Sequence, residues 1–196
     1  MSLLSDEPLP TAFEYDGTVY EMHTDFREWI KFEMLMTDED IPQELKGGLL
    51  LRLIFPVVPP APDVGSFLIW FYSCGKKAAK VRHKDKAVPA HNTNAAIYSY
   101  EYDDGYIYAA FMELYGIDLY TIEYLHWWQF RALFKALHDC KLTEIMGYRT
   151  AKIDSKLPEK QKARLTELKH IYALPKSLSE QAKIAEAKRI MEMYRQ

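Results

Sequence analysis

Glu123 and His126 stand three residues apart, and so do Glu167 and His170. On a helix this spacing turns both side chains to one face. Di-iron and di-manganese carboxylate bundles use the Glu-x-x-His motif twice and add one glutamate from each of two further helices. Glu33 and Glu113 could complete such a set. The spacing alone carries little weight, because 16 glutamates and 6 histidines produce about half of one such pair by chance, and a four-ligand site demands more. Salt-bridged or solvated side chains are the simpler use of these residues, so no metal or other cofactor is expected. No glycine-rich phosphate loop, nucleophile elbow or triad spacing is present either.

The second candidate is aromatic. Residues Tyr98 to Leu137 hold 8 of the 14 tyrosines and end in Leu125-His126-Trp127-Trp128-Gln129-Phe130. At 100° per residue, Leu125, Phe130, Ala132, Leu133, Phe134, Ala136 and Leu137 sweep one apolar face that also takes in His126 and Gln129. Those two polar residues should be buried, His126 as a neutral imidazole bonded to a carboxylate or carbonyl. Trp128 falls between Arg131 and Lys135 on the opposite side. An exposed tryptophan flanked by cations is how interface hot spots are often built, so Trp128, Arg131 and Lys135 form the candidate partner-binding set.

A third candidate is the run Lys76, Lys77, Lys80, Arg82, His83, Lys84 and Lys86, which faces only Asp85. Such a run can contact phosphates without sequence preference. It lacks the aromatic residues that a single-strand binder stacks on bases, which argues against nucleic acid. A solvated, mobile basic loop over 75–95 is the expectation.

These residues need elements to position them. Ala12 to His23 alternate around Asp16-Gly17, which predicts a β-hairpin over 12–23. Thr24 or Asp25 can cap a helix carrying Phe26, Trp29, Ile30, Glu33 and Met34 at helical spacing. Asp40-Ile41-Pro42 opens a second helix, which Gly47-Gly48 weakens and Pro56 to Pro62 end. A short apolar helix follows from Val64 to Ser73. Glu101, Asp103 and Asp104 stand where another should begin, Gly116 ends it, and Asp118 is placed to start the next. Residues 157–196 read as a helical pair, with Ser177 and Glu180 at capping-box spacing before an apolar stripe of Ile184, Ala187, Ile190, Met191 and Tyr194.

The expected fold is therefore mainly α, a single helical domain over residues 1–196 with about six to eight helices and a small N-terminal β-hairpin. Its 48% hydrophobic and 14% aromatic composition excludes a disordered chain, and a net charge of −3 gives no global footprint for nucleic acid. Cys74 and Cys140 lack the paired spacing of a zinc or redox motif and read as free thiols in a reducing compartment. Leu49 to Val58, the most apolar run, is broken by Arg52 and Pro56 and falls far short of the ~20 residues that span a bilayer, so no membrane is expected.

Five blocks follow in a distinctive order: Tyr106 to Phe111, Tyr115-Gly116-Ile117-Asp118-Leu119, Leu125 to Leu133, Glu144 to Arg149, and Ile171 to Pro175. Together they resemble the bacteriophage gene product 15 (Gp15) family of siphophages and prophages. The resemblance implies a virion-morphogenesis protein whose gene commonly lies between those of the major tail protein and the tape-measure protein. That is the place of tail assembly chaperones. It brings no established catalytic residues. The chain is thus read as a non-enzymatic tail assembly chaperone in the host bacterial cytoplasm, acting on the tape-measure protein and tail-tube subunits, with homo-oligomerisation open. The alternatives are a structural tail component of the virion and a di-metal carboxylate enzyme.

Overall fold

The computed structural model describes residues 8–76, 97–154 and 157–175. Seven helices and a two-stranded antiparallel sheet lie among them, so the protein is mainly α. The described residues group into two compact units, 8–76 with 111–137 and 97–110 with 138–154 and 157–175, and each is considered by itself.

The first unit opens with strands β1 (Ala12–Tyr15) and β2 (Thr18–Glu21). Tyr15 pairs with Thr18 across a two-residue loop. Asp16 and Gly17 both have positive φ, 50° and 69°. This is the turn whose twist matches two paired strands, and Asp-Gly is a favoured pair for it.

Helix α1 (Phe26–Thr37) follows. Asp25 caps it, one carboxylate oxygen accepting from the Arg27 N–H at 3.0 Å while the other accepts from the Leu125 N–H at 3.1 Å. The Arg27 guanidinium in turn donates to the carbonyls of Leu119 (3.1 Å) and Ile122 (2.7 Å). One helix start thereby fixes a segment about a hundred residues further along the chain. Asp118 does not start a helix there. Its carboxylate accepts from the N–H groups of Tyr120 and Thr121, closing a turn. Such local bonds offer the backbone an alternative to helix.

Helix α2 (Gln43–Ile54) packs on α1, burying Lys46 and Ile54. The buried lysine reaches the Met36 carbonyl at 3.1 Å, which satisfies its ammonium. Helix α3 (Val64–Tyr72) buries Val64, Leu68 and Phe71. Helix α4 (Asp104–Tyr115) supplies Phe111, and α5 (Trp127–Lys135) buries Trp127, Trp128, Phe130 and Phe134. The core of this unit is aromatic. Phe26 stacks on Phe130 at 4.8 Å, Phe130 on Phe111 at 5.1 Å, and Trp29 on Phe71 at 4.5 Å. Offset pairs at such separations add to the burial of these large side chains.

In the second unit, α6 (Lys141–Thr150) packs on α7 (Glu159–Ile171). Cys140 and Thr143 make the capping box of α6, a helix that the sequence reading left out. Pro158 occupies the cap position of α7, as proline's missing N–H and fixed φ allow. The second member of the expected helical pair over 157–196 lies outside the described residues, as do residues 77–95 of the expected basic loop. Among the described residues no helix is long and apolar enough to cross a membrane.

Arg149 organises this unit. Its guanidinium meets both oxygens of Asp103 at 2.6 and 2.8 Å and also donates to the carbonyls of Tyr172 (2.6 Å) and Ile97 (3.1 Å). Asp103 accepts a further bond from the Ser99 N–H at 2.9 Å. Both side chains are almost fully buried. Removing one partner of such a pair strands a buried charge, which costs about 3–5 kcal/mol. Arg149→Ala is expected to lower the free energy of unfolding by about that much, and Arg149→Lys should not restore it, since a point charge cannot make the same fork. Urea denaturation of the two variants checks this.

Candidate functional site: the histidine–tryptophan segment

Residues His126, Trp127 and Trp128 sit where two helix ends meet. A helix leaves N–H groups unpaired at its start and carbonyls unpaired at its end, and buried ends need partners. His126 is the N-cap of α5, its Nδ1 accepting from the Trp128 N–H at 3.0 Å. Because Nδ1 accepts, Nε2 carries the ring proton and donates to the Pro10 carbonyl at 3.1 Å. The ring is 2% exposed. Burial pushes its pKa below the usual histidine value, with the Pro10 bond opposing.

The two indoles close the other end. Trp128 Nε1–H donates to the Phe71 carbonyl at 2.8 Å and Trp127 Nε1–H to that of Tyr72 at 3.1 Å. These are the last two carbonyls of α3. Consecutive tryptophans thus satisfy consecutive carbonyls. The chain leaves α3 through Cys74 and Gly75, both at positive φ (58° and 72°). A Cβ on Gly75 would lie 2.8 Å from Trp128 Cη2. Glycine is needed there for both reasons.

Trp128 is therefore not the exposed anchor that the helical wheel suggests. It is 6% exposed, packed on Trp70 and Phe71. The wheel treats the segment from Leu125 to Leu137 as one helix with a solvated polar side, whereas α5 has nine residues and the end of α3 covers that side. Gln129 is corrected in the opposite sense. It is exposed, because α5 begins only at Trp127 and its buried face takes Trp127, Phe130 and Phe134. Arg131 is mostly buried, 3.5 Å from Glu33 and over the rings of Trp127 (5.2 Å) and Tyr72 (5.6 Å). Of the candidate set only Lys135 is exposed.

Within neither unit do the Glu-x-x-His residues join further ligands into a metal site among the described residues. Glu123, Glu113, Glu167 and His170 are exposed, and both ring nitrogens of His126 are engaged. No group of three or more His, Cys, Asp or Glu among the described residues could hold a metal ion. Of the basic run only Lys76 is described, and it is exposed. Lys77, Lys80, Arg82, Lys84 and Lys86 lie outside the described residues. Cys74 is half-buried, and burial raises its thiol pKa against the opposing charges of Arg131 and Lys135.

Sequence reasoning missed Arg27 and Arg149, which reach partners as far as 95 and 52 residues away, and Gly75, whose role depends on Trp128. For Gly75 the signal was present, in a glycine directly after an apolar helix. For the arginines no local pattern marks them.

Fold and segment together define a mainly α protein with an N-terminal hairpin and an aromatic clasp between helix ends. The family model described as Bacteriophage Gp15 protein matches residues 4–174, and the chain belongs to that family. Membership points to a phage structural or morphogenesis protein. No curated protein and no solved structure matches the chain significantly.

Protonating His126 would put a second N–H against the Trp128 amide and a positive charge at the positive end of α5. The folded pKa lies below the unfolded value of about 6.5, so its contribution is present above that pH and lost as pH falls through the folded pKa. The wild-type urea midpoint is expected to drop between pH 6.5 and 5, and His126→Asn, which can still cap, should show a smaller drop. Equal drops in both proteins would contradict this role.

Proposed function

We propose that this protein is a non-enzymatic tail assembly chaperone, acting in the host bacterial cytoplasm on the tape-measure protein and on tail-tube subunits. Family membership over residues 4–174 is the observation that supports it most directly. The link to the tape measure is by analogy with gene order in the family. The mechanism is reversible shielding: apolar and aromatic side chains of the chaperone cover apolar faces of a long helical partner until tube subunits replace them. With Trp128 buried, that role passes to side chains that are outside, among them Tyr120, Tyr124, Val57 and Ile69. Apolar groups held on helices and turns can shield a partner at little ordering cost.

Co-expression with the cognate tape-measure protein is expected to raise the latter's solubility and to yield a complex that co-purifies. A tape measure equally soluble alone, with no complex formed, would contradict the proposal. A structural tail component is the competing reading. Mass spectrometry of purified virions separates the two, since a chaperone leaves the finished particle and a structural component stays in it.

A further inference from the structure

Helix α2 carries two adjacent glycines, Gly47 and Gly48, in its middle. Glycine is a poor helix former, and such a pair normally signals a tight internal contact. Here it does not. A Cβ on either would meet nothing within 4 Å, so the fold of the chain gives no steric reason for them. The same outward face holds two exposed leucines, Leu45 (59%) and Leu49 (41%).

At 100° per residue, Glu44, Leu45, Gly48, Leu49 and Arg52 share one face, while Lys46 and Ile54 are buried on the other. Glu44 and Arg52 are both exposed, and neither makes an ion pair or side-chain hydrogen bond among the described residues. They lie four residues before and four after Gly48. The face is thus self-complementary about that glycine. Turned by a two-fold axis at Gly48, a second α2 runs antiparallel, Glu44 of each copy faces Arg52 of the other, and the leucines flank a crossing where no side chain holds the backbones apart. A two-fold contact uses one patch on both partners, and this patch has the required charge order.

We propose that the outward face of α2 is a homodimer contact, with a second copy of this chain as its occupant. This is independent of the chaperone reading. A helix of another protein could use the leucines and glycines. The paired, opposite charges at equal distances from Gly48 favour a second copy of α2.

Sedimentation equilibrium of the full chain tests the proposal, with Gly48→Gln, Glu44→Arg, Arg52→Glu and the double exchange Glu44→Arg/Arg52→Glu. Wild type is expected to dimerise at concentrations up to about 100 µM. Gly48→Gln should be monomeric with an unchanged or higher thermal midpoint, since glutamine favours helix and has room. That combination separates a lost contact from a lost fold. Each single charge reversal should weaken association by roughly tenfold, and the double exchange should restore it. A monomeric wild type at these concentrations would overturn the proposal. So would a dimer indifferent to Gly48→Gln, or charge reversals that the exchange fails to repair.

Discussion

The junction of the α3 end with the α5 start is the constraint on which the first unit depends. Two helix termini are buried together, and each would leave backbone groups unpaired in an apolar setting, a loss of about 1–3 kcal/mol for every group. Three consecutive side chains meet much of this need, alongside backbone bonds from the Cys74 N–H to the Phe71 carbonyl (2.9 Å) and from the Trp127 N–H to the Thr24 carbonyl (2.8 Å). His126 accepts at the start of α5 and donates to Pro10, and Trp127 and Trp128 donate to Tyr72 and Phe71 at the end of α3. The same rings then build the core, since Trp127 packs on Trp29 and Trp128 on Phe71. Asp25 and Arg27 support the junction from α1, holding the chain between Leu119 and Leu125 that delivers His126. Aromatic density here is a way of hiding polar backbone inside a small core.

The second unit uses a charge where the first uses rings. Arg149 gathers Asp103 and the carbonyls of Ile97 and Tyr172, drawing residues 97–103 and Tyr172 onto one guanidinium. Lys169 adds bonds to the carbonyls of Arg149 and Ala151 at the end of α6. A helix as polar as α7, which buries no residue completely, relies on such contacts in place of a deep apolar face.

What the sequence made legible follows from the range of each interaction. The hairpin could be read because Asp16-Gly17 specify their turn locally, and α1 because Asp25 caps it within two residues. A wheel drawn from Leu125 misplaces Trp128, whose side is covered by the end of α3, and Gln129, which is exposed because α5 begins only at Trp127. Asp118 was misread because a carboxylate that can cap a helix can also close a turn. Asp103 was rightly placed before α4, but its partner Arg149 lies 46 residues away, beyond any local pattern. The family blocks were legible as an ordered set of motifs, and their match over residues 4–174 carries what is known of function.

Burial of the histidine–tryptophan segment assigns these side chains to holding the fold and leaves the partner contact of the proposed chaperone role to others. Trp128→Phe tests that assignment most directly, because it removes the indole N–H and part of the ring while keeping an aromatic group in place. Urea unfolding and tape-measure co-purification of this variant should be measured together. The expected result is a loss of about 2–4 kcal/mol of stability, with partner capture unchanged at a temperature where the variant stays folded. Undiminished stability with partner capture abolished would contradict the account and return Trp128 to the binding surface.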